Sequence, residues 1–380
     1  MRRGKSRCTL DKRIFWAVEF FHAWVYVWEG GRPRLTFLYG MRESSTMDKV
    51  KYGVIGLGFF GEVHAEVLSS MPDVDLVAVS TRRPSRLKEV ADRFGVPKRY
   101  TNYRELLKDP EVEAVSIVTH VDSHREVALE ALRRGKHVLL EKPMADTVEG
   151  CDAILEELKS SKGIFMVGHI CRFDPRVSLA KQAIDEGRIG KVVSMHATRN
   201  LPKNLTAQPR VLGSISPLMG DGIHDIDIML WMSKAKAETV YAQNVRVRDL
   251  KYPDIGWAMY RFDNDAVGVI EVVWFLPENT PYTIDARMEI IGTEGAIYID
   301  ASNPGITIND GEGLHKPDTI YWPTVHGMRI GALRTELSYF VRCVKEGRKP
   351  EVITPEESRE AVRVICAAEE SAATGKVVHL

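Results

Sequence analysis

The 380-residue sequence predicts an α/β fold in two parts: a parallel sheet covered by helices, then an α+β region on a mostly antiparallel sheet. Three observations predict it. A glycine-rich turn, Gly56-Leu-Gly-Phe-Phe-Gly61, stands between a short apolar run and a helical stretch. Strand-like apolar runs then alternate with helical stretches to about residue 170, the pattern of a parallel sheet with helices on both faces. Beyond that point long strand-like runs follow one another closely, which favours antiparallel pairing.

Composition sets the bounds. The chain is 44% hydrophobic and 27% charged, and it is long enough for two cores, because single domains usually stop at about 250–300 residues. Lys plus Arg equals Asp plus Glu, so nothing favours a nucleic-acid or acidic-surface partner. Cys8, Cys151, Cys171, Cys343 and Cys366 are scattered, with no C-x-x-C. That argues against a disulfide framework or zinc site and for a cytoplasmic protein. Residues 1–13 are basic, and Ile14 to Trp28 is rich in Phe, Trp, Val and Tyr but broken by Glu19 and His22. No small-residue cleavage site follows, and the run is too short for a membrane span. Residues 1–46 are therefore expected to be an extension or a misassigned start ahead of Met47, rather than an anchor or packing helix.

In chain order, Tyr52–Ile55 reads as a strand and Glu62–Ser70 as a helix. Val74–Ser80 is a strand, Pro84–Phe94 a helix, and Arg99–Lys108 carries a short helix. The strand Ala114–Thr119 precedes the helix Ser123–Arg134, which Gly135 closes. Val138–Leu140, the helix Thr147–Ser160 and the strand Ile164–Val167 complete the first part, residues 47–170. The second, residues 171–380, opens with the helix Pro175–Glu186, the strand Val192–Thr198 and the helix Leu218–Met232. Strands follow at Thr239–Val247, Trp257–Phe262, Ala266–Phe275, Ile284–Ile291 and Ala296–Ile299, then helices at Ile330–Lys345 and Pro355–Ala373. A substrate would meet a cofactor at the junction of the two parts.

The chemistry begins at the glycine turn. Gly56 allows the turn, Gly58 lets backbone approach a pyrophosphate, and Gly61 lets the helix pack on the strand. Phe59 and Phe60 lie where the helix offers free N–H groups and its positive dipole end. The end of the second strand reads Ser80-Thr81-Arg82-Arg83, where an NAD site would carry a carboxylate for the ribose hydroxyl. Hydroxyls and guanidinium groups suit a 2′-phosphate, so NADP is preferred over NAD; the bland alternative is solvated loop charge. Glu141-Lys142-Pro143 ends a parallel strand, and its lysine could stabilise an alkoxide. Asp221-Gly-Ile-His224-Asp225 opens an apolar helix. His224 could take a proton and Asp221 could orient it, although the aspartates could be helix caps and His224 a core residue. The spacing matches no known metal-ligand pattern, so no metal is expected.

Together these stretches resemble the Gfo/Idh/MocA oxidoreductase family from Met47 to Leu380. Gly135-Lys-His-Val-Leu-Leu-Glu-Lys-Pro143 is similar to its most recognisable motif. Ala114–Thr119 with His124, Gly168-His169 with Arg172-Phe-Asp-Pro175, Gly187-Arg-Ile-Gly190 and Gly292-Thr-Glu-Gly-Ala296 fit in order. The resemblance implies a Rossmann domain followed by an open, mostly antiparallel sheet that often forms a homodimer or homotetramer interface. It implies an NAD(P)-dependent dehydrogenase of a sugar or polyol hydroxyl, with Lys142 at substrate and nicotinamide and His224 as acid/base. Thr119, His120, His124, Glu141 and Arg172 are expected at the cofactor. Two departures stand out. Many members carry an Asp four residues before the histidine; here Gly220 stands there and Asp221 follows, a turn of about 100° on a regular helix. The usual Thr-Pro is Thr119-His120. The alternatives are a non-catalytic dinucleotide-binding regulator and an NAD-dependent glycosidase.

Overall fold

The computed structural model describes residues 18–29, 32–43, 49–206 and 215–380. The expected start at Met47 lies outside them. β1 (Val18–Glu29) and β2 (Arg32–Glu43) form an antiparallel hairpin. The packing-helix alternative is thereby corrected. The β-branched and aromatic residues that made the run look apolar are strand formers.

From Val50 onward the chain forms one compact unit. Its first sheet contains β3 (Val50–Ile55), β4 (Val74–Ser80), β5 (Lys98–Tyr100), β6 (Ala114–Ile117), β7 (His137–Glu141) and β8 (Phe165–Gly168). All pair in parallel, in the order β5-β4-β3-β6-β7-β8. The helices are α1 (Phe59–Ser69), α2 (Pro84–Phe94), α3 (Tyr103–Lys108), α4 (His124–Arg133) and α5 (Val148–Leu158). β3 and β4 are buried almost throughout, as a sheet covered on both faces requires. The order reverses between β3 and β6, so the crevice for a ligand opens at their carboxyl ends.

The rest comprises α6 (Pro175–Asp185), β9 (Val192–Pro202), α7 (Lys203–Thr206), α8 (Ile223–Ser233), β10 (Ala237–Val245), β11 (Ile255–Phe262), β12 (Val267–Leu276), β13 (Asp285–Gly292) and β14 (Ala296–Asp300). Two small hairpins follow, β15 (Ile308–Asp310) with β16 (Gly313–His315), and β17 (Thr324–Val325) with β18 (Met328–Arg329). α9 (Ala332–Glu346), α10 (Pro355–Thr374) and β19 (Val378–His379) close the chain. The second sheet runs β14-β13-β9-β12-β11-β10-β19. Its pairs are antiparallel except β9 with β12, which is parallel. Strict alternation on β11 buries Ala258, Tyr260 and Phe262 on the face that α8 and α10 cover and turns Trp257 and Met259 outward. α9 returns to the first sheet: Phe340 meets Tyr52 edge to face with centroids 6.3 Å apart, and Lys345 pairs with Asp73 at 2.7 Å. Among the described residues no helix is long and apolar enough to cross a membrane.

Candidate active site

The glycine turn has the geometry of a phosphate cradle. Gly56 adopts φ +95°, and a Cβ there would lie 2.3 Å from the Val118 carbonyl oxygen. A Cβ on Gly61 would lie 1.8 Å from the Gly56 oxygen, so helix and turn can close only on glycine. Gly58 has no atom within 4 Å of its Cβ position, and no side chain caps α1 there. Free N–H groups therefore face open space, which fits a dinucleotide pyrophosphate. Phe60 packs edge-on against His64 at 4.9 Å, while Phe59 is exposed.

The adjoining end of β4 holds buried Ser80, half-buried Thr81 and exposed Arg82. Arg83 Nη2 and Arg86 Nε donate to the Leu57 carbonyl at 2.9 and 3.2 Å. Arg86 and Arg93 also pair with Glu62 in the first turn of α1. Sequence reasoning missed Arg86; its i, i+3 spacing from Arg83 on a helix was the available signal.

Around the crevice, Thr119 is half-buried and His120 exposed. His124 is buried, with Nδ1 2.8 Å from the Pro143 carbonyl and Nε2 3.1 Å from that of Thr119. It ties the loop after β6 to the loop after β7, and burial lowers its proton affinity against the pull of those carbonyls. Arg172 is also buried. It grips Asp227 through Nε and Nη2 at 2.9 and 2.7 Å, donates from Nη1 to Val352 O at 2.7 Å, and lies over the Trp231 ring. The structure places Arg172 in this internal clamp rather than open to a dinucleotide.

Lys142 follows β7, and its Nζ donates to the Gly220 carbonyl at 2.6 Å. The stretch Leu218–Gly222 is a π-helical turn leading into α8. Such a turn accommodates one residue more than an α-helical turn and marks functional sites. Gly220 lies under Trp274: a Cβ would stand 2.6 Å from indole Cζ2, so no side chain fits there. Asp221 instead swings beside Lys142, with Oδ1 4.0 Å from Nζ and Oδ2 accepting from Trp274 Nε1 at 2.7 Å.

His224 is buried at the start of α8, and its Nδ1 has no partner among the described residues. Burial, then the charges of Lys142 and Arg199, hold its proton affinity well below the usual histidine range. Asp225 is locked in a two-point pair with Arg199 at 2.8 and 3.0 Å. Asp227 is in the Arg172 clamp, so Asp221 is the aspartate of this stretch that stands at Lys142. Sequence reasoning did not assign His169, beyond β8. It is buried with both ring nitrogens unpartnered, Nδ1 3.7 Å from Asp227 Oδ2. Among the described residues no group of three or more His, Cys, Asp or Glu could hold a metal.

A family model described as "Oxidoreductase family, NAD-binding Rossmann fold" matches residues 50–169, and the "GFO/IDH/MocA C-terminal domain" matches residues 177–298. The chain belongs to the Gfo/Idh/MocA family. It is similar to a myo-inositol 2-dehydrogenase of Thermotoga maritima, 30% identical over 87% of this chain and 98% of the relative. A scyllo-inositol 2-dehydrogenase (NAD(+)) of Bacillus subtilis is 31% identical over 87% and 96%. The crystal structure of myo-inositol 2-dehydrogenase from Lactobacillus plantarum superposes with TM-score 0.77 over 88% of this chain and 100% of that one; at 23% identity it shows the shared fold. As a Gfo/Idh/MocA protein the chain is an NAD-dependent oxidoreductase.

Proposed function

We propose that this enzyme oxidises a ring hydroxyl of an inositol-type polyol, with His224 as general base and Lys142 as the charge that steadies the alkoxide. The convergence of Lys142, Asp221 and His224 beside the glycine crevice carries this reading. The names of the two curated relatives support the substrate class. When bound, the nicotinamide accepts the hydride. His224, kept unprotonated by burial, takes the hydroxyl proton. Lys142 favours the negative oxygen, and Asp221 with the Gly220 carbonyl holds the ammonium in place. Retention of both groups disfavours a non-catalytic regulator, and no tyrosine beside His224 favours glycosidase chemistry. The test is a screen of inositols, aldoses and glycosides with both cofactors. Reduced cofactor should accumulate with a cyclic polyol. Glycoside cleavage without net reduction, or silence toward every polyol, would overturn the reading.

NADP is our preferred cofactor. Ser80, Thr81 and Arg82 supply hydroxyls and an exposed guanidinium, with no carboxylate beside them. Arg82→Ala should weaken NADP by about ten- to a hundredfold, the worth of a charge-assisted hydrogen bond, and leave NAD nearly unchanged. Equal losses in cofactor titrations would end the preference.

Three further readings complete the proposal. Residues 47–170 bind the dinucleotide, and 171–380 supply substrate contacts and assembly. The outward face of the second sheet, with Tyr241, Trp257 and Met259 exposed, supports a homodimer or homotetramer. The described cysteines are free thiols, which supports a cytoplasmic protein.

A further inference from the structure

Trp322 lies where the second part of the chain touches the glycine turn. It follows buried Tyr321 in the bend that leads to α9. Asp318 fixes that bend. Its Oδ1 accepts from the backbone N–H groups of Ile320 and Tyr321 at 2.8 and 2.9 Å, and its Oδ2 from that of Trp322 at 2.8 Å. The Ile320 and Tyr321 carbonyls accept from the N–H groups of Ala332 and Leu333 at the start of α9, at 2.8 and 3.0 Å. The indole is thus carried on well-anchored backbone. It meets Phe60 edge to face with centroids 5.1 Å apart, and Phe59 in the same manner at 6.5 Å. Those phenylalanines stand between Gly58 and Gly61 and open α1.

A second contact closes on the same helix. Arg329 of β18 donates from Nε to Glu66 Oε2 at 2.7 Å and from Nη1 to the Trp322 carbonyl at 2.9 Å. One guanidinium therefore joins the middle of α1 to the residue packed on its first turn. Phe60 and Glu66 are six residues apart, about 9 Å along the helix axis. The segment from Trp322 to Arg329, folded as the β17–β18 hairpin, holds α1 at both points. The space over Gly58 stays open.

We propose that Trp322 is a positioning residue for the cofactor: with Arg329 it fixes the first turn of α1 and so aims the free N–H groups at the dinucleotide pyrophosphate. The proposal rests on the glycine turn being the pyrophosphate cradle. Helix ends fray, and donors that must be ordered on binding lose affinity to that ordering. A first turn held beforehand avoids the loss. Trp322 acts through Phe59 and Phe60, which belong to the cradle and not to the Lys142–His224 pair. Its effect therefore falls on cofactor affinity rather than on the chemical step. The pyrophosphate is common to NAD and NADP, so both should respond alike.

The test titrates NAD and NADP calorimetrically into the full-length parent, Trp322→Ala, Trp322→Phe, Arg329→Met and Gly58→Val, with steady-state kinetics alongside. Alanine should weaken both cofactors about tenfold, the range expected for loss of edge-to-face ring contacts. Cofactor KM should rise equally, with kcat at saturating cofactor and polyol KM near parental. Phenylalanine keeps an aromatic edge against Phe60 and should restore most of the affinity. Arg329→Met should weaken both cofactors about threefold, as loss of a half-buried ion pair would. Parental affinity in the alanine variant overturns the role. So do a phenylalanine variant as weak as alanine, and a shift in kcat or polyol KM as large as that in cofactor KM. Should the alanine variant not fold, parental affinity in Arg329→Met overturns it. Gly58→Val tests the premise separately. Parental affinity there means the turn is no cradle, and the proposal falls with it. Weak binding by Gly58→Val alone removes only the role of Trp322.

Discussion

Lys142→Met is expected to lower kcat about a hundred- to a thousandfold, the loss seen when one preorganised donor to a developing oxyanion is removed. Methionine keeps the apolar stem and deletes the ammonium. The fold should survive, because the lysine head is held by the Gly220 carbonyl and the Asp221 carboxylate and is partly exposed rather than sunk in a core. Cofactor affinity should change little, since the glycine turn supplies the phosphate contacts. A second effect follows from the same charge. Lys142 depresses the proton affinity of His224, so the methionine variant should show its basic limb at higher pH than the parent. Near-parental kcat, or an unmoved limb, would remove Lys142 from the site.

His224→Ala should cost about 10²- to 10⁴-fold in kcat, the usual contribution of a positioned general base. The pH dependence is the sharper observation. The unprotonated imidazole is the active form for oxidation, and burial lowers its proton affinity. The oxidation rate should therefore reach its plateau below the ordinary histidine midpoint of about 6.5. Reduction of the ketone needs the protonated ring and should rise toward acid pH. A limb at or above the ordinary midpoint, or a profile unchanged in the alanine variant, would assign the base elsewhere.

Much of this was legible in the sequence because the signals are local. The alternation of strands with helices yielded the parallel sheet, and the glycine spacing marked its crevice. β5 escaped because Lys98-Arg99-Tyr100 has no apolar period to read. The parallel pairing of β9 with β12 escaped because nothing local records which strand a distant strand will join. The site divides the same way. Lys142 and His224 stood out by motif. Arg172 matched a motif too, yet its placement depends on Asp227, 55 residues away, and on Val352, 180 residues away. The burial of Glu336 on α9 carried no signal either, since a glutamate on an amphipathic helix normally points to water.

The π-helical turn at Leu218–Gly222 has a consequence for ancestry. An extra residue in one turn acts as a phase shifter, rotating everything before it relative to everything after. Asp221 reaches Lys142 from three positions ahead of His224, a bearing that an unbroken helix would turn by about 100°. Asp221 stands one position nearer His224 than the family's aspartate, and the irregular turn at Leu218–Gly222 lets its carboxylate stand at the Lys142 ammonium all the same. Selection on such a helix acts on direction rather than on ordinal position. A carboxylate can therefore keep its place beside the lysine when its position along the chain moves by one residue.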